Sequence, residues 1–187
     1  MTILMPPPEL VEPPTWSIRP ELPIDLDQIH EVHREAFHGR TEAELVDAIR
    51  SGPDFLPDLS LVAVTDDGSV LGHILLSRVT FEASDGSGRH DVLALAPLAV
   101  LPPYQGSGIG SALMCEALAI ADARDEAFVV VLGSPAFYGR FGFVPADEFE
   151  IVGPYEDAGD AFQVRPRPGG PALGAGSVVY PPKFESV

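Results

Sequence analysis

The chain has 187 residues, with 28 Asp and Glu against 11 Lys and Arg, a formal charge of −17 at neutral pH. A hydrophobic content of 45% with 21% charged residues is that of a globular domain that buries a core without disulfides or structural metal, and the one cysteine, Cys115, has no partner for an intrachain disulfide. The acidic balance argues against sequence-independent binding to nucleic acid or anionic membrane, which relies on clustered Lys and Arg.

Residues Met1 to Pro14 carry five prolines and two glutamates without periodicity, which reads as an extended tail (residues 1–15) ahead of the domain. Met1 to Leu4 is too short for a signal peptide core. The longest apolar run, the ten residues Val92 to Leu101, falls short of the roughly 18 that a membrane span needs. A soluble, cytoplasmic protein is the expectation.

Trp16 to Arg19 is a short strand candidate. From Asp25, the residues Leu26, Ile29, Val32, Ala36 and Phe37 recur at helical spacing. Thr41 with Glu44 three positions on is the signature of a capping box, and predicts a second helix to about Arg50. Ser51 to Pro57 reads as loop. Leu61 to Val64 and Val70 to Phe81 read as a β-hairpin turning at Asp66-Asp67-Gly68. Ala83 to His90, rich in Gly, Ser and Asp, is expected to be a mobile insertion. Val92 to Leu101 is apolar at every position and predicts a strand buried on both faces. Its Pro97 cannot donate a ladder hydrogen bond, so the strand must bulge or lose a neighbour there.

A glycine-rich turn, Tyr104-Gln105-Gly106-Ser107-Gly108-Ile109-Gly110, then leads into a helix marked by Ile109, Leu113, Ala117, Ile120 and Ala121. Ala127 to Leu132 is a second buried strand. Ser134-Pro135 has the form of an N-cap and first helical residue, for a short helix ending at Gly142. Phe143-Val144, Phe162 to Val164 and Ser177 to Tyr180 are the remaining strand candidates.

The strand, turn and helix over 92–121 carry the chemistry. Three glycines at alternate positions let backbone approach a ligand, and the amides opening the following helix favour an anion. A Walker A loop would need a lysine, which is absent here, and a dinucleotide fingerprint would need Gly where Ser111 stands. What remains is Gln-x-x-Gly-x-Gly, from Gln105, Gly108 and Gly110.

With these residues the chain resembles the GNAT superfamily of N-acetyltransferases, in its bacterial predicted-acetyltransferase branch. The likeness extends to Pro97-Leu98-Ala99-Val100 before the turn and to Ser134-Pro135-Ala136-Phe137-Tyr138-Gly139-Arg140-Phe141-Gly142-Phe143 after it. Gly72-His73-Ile74 and Tyr180-Pro181-Pro182-Lys183-Phe184 also match, and the whole spans about residues 16–184. The resemblance implies one domain over 16–187 with the α/β (α+β) GNAT fold, a mixed, splayed sheet of six to seven strands flanked by about four helices. It implies acetyl-CoA as co-substrate. Its pantetheine arm would lie between the Pro97 strand and the next, against backbone at Leu98, Ala99 and Val100. Its pyrophosphate would sit on the amides of Gly106, Ser107, Gly108, Ile109, Gly110 and Ser111, with Gln105 and Ser134 also binding the cofactor; from the residues themselves, Arg140 or Arg124 is expected to assist. A primary amine would attack directly, without an acyl-enzyme, and Tyr138 would protonate the departing thiolate.

The general base is unassigned, with Glu82, His73, Asp91 and water as candidates. His30, His33 and His38 fall near one another in sequence but lack the acidic partners of a metal site, so no metal is expected. Cys115, inside the helix after the turn, reads as a small buried hydrophobe. The acceptor is a small-molecule or peptide amine, with a cationic one suited to the acidic chain. No nucleic acid or membrane partner is expected, and a homodimer is left open. Alternatives are a non-catalytic acyl-CoA-binding regulator, or an acyltransferase for a longer acyl chain.

Overall fold

The computed structural model describes residues 13–155, 157–172 and 174–184; the prolines up to Pro8 in the expected tail lie outside this range. Strand β1 (Trp16–Pro20) is followed by helices α1 (Leu26–Phe37) and α2 (Thr41–Arg50), then strands β2 (Phe55–Thr65), β3 (Val70–Ala83) and β4 (Arg89–Val100). Helix α3 (Ile109–Asp122) leads to β5 (Phe128–Leu132), the one-turn α4 (Pro135–Tyr138), β6 (Val144–Pro145), β7 (Ile151–Val152), β8 (Phe162–Pro166) and β9 (Gly176–Val179). The sheet runs β1-β2-β3-β4-β5-β8-β6, with β9 joining β3 and β7 joining β9. It has nine strands among the described residues, where the sequence predicts six to seven; β6 and β7 are two-residue pieces.

Two apolar clusters cover the faces of the sheet. Ile29 and Val32 of α1 and Leu45, Val46 and Ile49 of α2 pack on one face, against Val62, Leu75 and Val92. Ile109, Leu113, Met114 and Ala117 of α3 pack on the other, against Leu61, Ile74, Leu93 and Val129. Gly72 on β3 permits this second contact. A methyl group there would stand 3.0 Å from the Ala99 carbonyl oxygen and 3.1 and 3.2 Å from Ile109 and Leu113. The glycine therefore lets α3 settle onto the hairpin.

Several local expectations need correction. Thr41 is the first residue of α2 and not its cap, because the turn after left-handed His38 starts the helix at Arg40, whose carbonyl accepts from the Glu44 amide at 2.8 Å. The segment 84–88 is a short turn joining β3 to β4, tied by Ala83 N–H to Gly88 O and by Ser84 N–H to Ala175 O. Strand β2 begins at Phe55, inside the segment read as loop. Cys115 is exposed. It lies off the stripe of Leu113, Met114, Ala117, Leu118 and Ala121 that α3 turns inward, and its apolar character alone misled the reading.

Candidate active site

The site is built on a failure of strand pairing. Strand β4 is continuous with β3 along its length but pairs with β5, in parallel, only from Leu93↔Val129 to Leu95↔Val131. At that point β4 carries one residue more than β3, since Ile74 faces Leu98 while Leu76 faces Leu95. The extra residue falls at Ala96-Pro97, where the peptide is cis. Proline has no N–H to give a neighbouring strand, so the ladder to β5 stops where the sequence places it. Val92 to Leu95 are buried, whereas Ala96, Leu98 and Val100 are half-exposed along the parting.

Backbone direction beyond the parting follows from one bond. The Leu101 N–H donates to Leu71 O at 2.9 Å, so Leu101 faces β3. Alternation then turns the peptide groups of Ala99 toward β3 and those of Leu98 and Val100 toward the gap. The Val100 carbonyl accepts a hydrogen bond from Gln105 Nε2 at 3.1 Å, which ties the glycine turn to the end of β4.

In the turn itself, Gly106 and Gly108 have φ of +77° and +95°, and open space surrounds both where a side chain would stand. Gly108 is the N-cap of α3. The amides of Ile109, Gly110 and Ser111 open the helix and have no intrahelical acceptor, while Ala112 already donates to Gly108 O at 3.0 Å. This arrangement fits an anionic group held without a cation. Ser107 Oγ donates to Tyr104 O at 2.6 Å, which fixes the curl. Arg124 takes no part: it follows the far end of α3, about 21 Å of helix away, bound to Asp58 and Glu126. Arg140 lies over the rings of Phe137 and Phe141, at 4.7 and 5.5 Å.

Across the gap, β5 ends at Leu132 and the chain turns at Gly133 into α4. The Gly133 amide donates to Ala161 O at 2.9 Å, and its carbonyl accepts from the buried Gln163 Nε2 at 3.0 Å. Ser134 caps α4 through its carbonyl, which accepts from Phe137 and Tyr138 N–H, while its hydroxyl makes no cap bond. Tyr138 folds back over Gly133, so closely that a Cβ there would lie 2.4 Å from Tyr138 Cε2. Phe137 and Phe143 hold its ring edge-on at 5.0 and 5.8 Å. Burial pushes the phenol up to about 12, so it keeps its proton at neutral pH.

Tyr138 opens on a cavity of about 310 Å³ at the parting of the strands. Leu95 to Leu98 and Leu132-Gly133 form its inner wall, and Phe37, Glu42, Leu45, Tyr155, Tyr180 and Phe184 form the rest.

A sequence model of the Acetyltransferase (GNAT) family matches residues 26–143, which contain the parting strand, the glycine turn and Tyr138. The chain belongs to this family. The N-acetyltransferase YhbS of Escherichia coli K12 is 37% identical over 147 residues, covering 79% of this chain and 84% of YhbS. The crystal structure of Escherichia coli YhbS in complex with CoA superposes with a TM-score of 0.81 at 33% identity, covering 91% of this chain and 92% of that one. A GNAT family acetyltransferase from Brucella melitensis, in complex with acetyl-CoA, gives 0.73 at 34% identity over 91% and 98%.

The GNAT fold separates the expected base candidates from the cavity. Glu82 and Asp91 lie at the other end of the β3–β4 hairpin, with Glu82 held by Arg89 and Asp91 near Arg78 at 3.7 Å. Asp91 precedes Leu95 by four residues, about 13 Å of strand. His73 is fully buried within a polar chain between the sheet and the N-terminal helices. Glu21, held by Arg50 Nε at 2.6 Å, can only accept; Ser60 Oγ donates to it at 2.6 Å. His73 Nε2 therefore donates to Ser60 Oγ at 2.9 Å, and His33 Nε2 donates to His73 Nδ1 at 2.8 Å. Burial holds both histidines below their ordinary pKa, while Glu21, despite burial, drops to about 2 through the nearby His73 ring nitrogen at 3.4 Å and its bonds to Arg50 and Ser60. His30 lies on the surface beside Asp47 and His38 caps α1. No group of three or more His, Cys, Asp or Glu among the described residues is placed to hold a metal ion.

Sequence reasoning missed Phe37, Glu42, Tyr155, Tyr180 and Phe184 as cavity residues. Tyr180 and Phe184 stood within a matched segment, but nothing local marked their destination. Glu42 looked like any acidic residue in the first turn of a helix.

Proposed function

We propose that this GNAT acetyltransferase transfers the acetyl group of acetyl-CoA to a primary amine by direct attack, with Tyr138 as general acid. The observation that carries the reading is the parting of β4 from β5 after Leu95, with the glycine turn at one end and Tyr138 and the cavity at the other. Leu98 and Val100 would pair with the amides of the pantetheine arm, and the amides of Ile109, Gly110 and Ser111 would hold the pyrophosphate, with Gly106 and Gly108 shaping the turn and Gln105 bracing it. Ser134 stands at the rim on the β5 side. Acetyl-CoA supplies a thioester whose C–S bond breaks as the neutral amine nitrogen forms its bond to carbon and gives up one proton to water. A backbone N–H at the parting would stabilise charge on the thioester oxygen, a contribution of typically about 3 kcal/mol. Tyr138, protonated and at the mouth of the gap, would meet the charge developing on sulfur. The YhbS and Brucella relatives, in complex with CoA and acetyl-CoA, support the same choice of co-substrate. The cytoplasm, where acetyl-CoA is abundant, suits this chemistry.

The test is thiol release from acetyl-CoA with an amine panel, run on wild type and Tyr138→Phe. The expected result is a turnover about 100-fold lower in the variant, with acetyl-CoA affinity by calorimetry within about twofold. Equal turnover in both proteins removes Tyr138 from the reaction. Acetyl-CoA binding without thiol release from any amine assigns the chain to regulation instead.

A further inference from the structure

The acceptor end of the cavity has a composition that names a class of amine. Tyr155, Tyr180 and Phe184 form a continuous aromatic row, with ring centroids 6.1 and 4.9 Å apart and edges turned to faces. Phe37, from the end of α1, lines the cavity as well. Glu42, half-buried on α2, is the one charged side chain among the described residues that line it. Nearby cations are engaged elsewhere: Arg50 with Glu21 and Asp47, and Lys183 with Asp54.

From this we infer that the acceptor is a small primary amine with one positive charge and an apolar, preferably aromatic, body, its ammonium drawn in by Glu42 and giving one proton to water before the neutral nitrogen attacks. The inference rests on the proposed transfer from acetyl-CoA. A carboxylate facing aromatic rings favours a lone cation, through an ion pair and through the negative ring faces. An amino acid would bring a second, negative charge into a wall with no cationic side chain among the described residues that line it, where its desolvation is costly. A polyamine would bring a second ammonium for one carboxylate. An aminoglycoside, polar over its whole surface and multiply charged, would set several ammonium groups against one carboxylate and an otherwise largely apolar wall. Specificity here therefore arises as much from what the wall lacks as from what it presents.

The experiment compares kcat/KM at saturating acetyl-CoA for 2-phenylethylamine, L-phenylalanine, 1,4-diaminobutane, kanamycin and a peptide with a free N-terminus. The first two share one body and differ by a carboxylate. Wild type is expected to prefer 2-phenylethylamine to each of the others by at least about 50-fold. Glu42→Gln is expected to raise its KM at least tenfold and to leave the acetyl-CoA dissociation constant, measured by calorimetry as a check on folding, within about twofold. Glu42→Asp is expected to fall between. Preference for any other amine in the panel overturns the acceptor class while leaving acetyl transfer intact, and an unchanged KM in Glu42→Gln removes Glu42 from recognition. Bound acetyl-CoA with no thiol release from any amine overturns the transfer and the acceptor class together.

Discussion

The position of Tyr138 is set by a residue that carries no chemistry. Gly133 leaves the space in which the Tyr138 ring lies, and its backbone is pinned on both sides by Ala161 and Gln163. A methyl group at 133 must move the ring, because the flanking strand cannot yield. Gly133→Ala is therefore expected to lower kcat about tenfold, with acetyl-CoA binding retained. The double variant Gly133→Ala/Tyr138→Phe is expected to be no slower than Tyr138→Phe by more than about twofold, since both changes remove one interaction. Steady-state kinetics on the four proteins decide this, and additive losses would assign Gly133 a separate role. As a candidate, Tyr138 itself was legible in the sequence, because its neighbours Phe137, Gly139 and Phe141 to Phe143 form a contiguous segment. Gly133 was not, because what it must avoid is defined only by the folded ring. Cys115 was misread for a related reason: residue type indicates a preference for burial, but the face of a helix decides it.

At the level of elements, the local features were readable: the period of α1, the hairpin turning at Gly68, the break at Pro97 and the glycine turn before α3. Each is fixed by neighbours in sequence. The pairing of β9 with β3 joins segments about a hundred residues apart, and it sets where Tyr180 and Phe184 stand, so the proposed acceptor wall was out of reach. The buried chain Glu21–Ser60–His73–His33 is likewise assembled from β2, β3, α1 and the segment after β1. It gives stability a defined pH dependence. Glu21 has a folded pKa below its ordinary value, so its contribution is full above about pH 4.5 and is lost as pH falls toward 2. The two histidines are held below 6.5, so their charging already opposes folding as pH drops beneath that value. All three act in the same direction. Glu21→Gln is expected to cost about 3 kcal/mol at pH 7, the drop of Glu21 from 4.5 to about 2 expressed as free energy, and the difference from wild type should narrow below about pH 4.5. Urea denaturation across pH 7 to 3.5 measures it. A constant difference at every pH would mean that lost packing, not charge, accounts for the effect.

For the whole molecule, a net charge of −17 stands against a strongly anionic co-substrate. The glycine turn would resolve this locally, since helix amides attract phosphate without a positive side chain. The long-range field still acts on encounter. Salt shortens its reach, with a Debye length near 30 Å at 0.01 M and about 10 Å at 0.1 M. Rising ionic strength is therefore expected to lower kcat/KM for a cationic amine several-fold and to lower or leave unchanged the KM for acetyl-CoA. A kcat/KM for charged amines that ignores salt would show that the acidic surplus plays no part in drawing the acceptor in.

The parting of β4 from β5 has a consequence beyond the reaction. Unpaired strand edges normally invite other chains, and proteins guard them with charge, proline or cover. Here the gap-facing peptide groups of Leu98 and Val100, the Val100 carbonyl bound to Gln105, line an interior slit, closed at one end where pairing resumes at Leu95. A foreign β-strand needs a long, open margin on which to set its register, and this margin offers two residues at the bottom of a wedge. A thin, flexible arm with a few amides of its own meets no such demand. The same geometry that admits a co-substrate thus protects the sheet from its own kind.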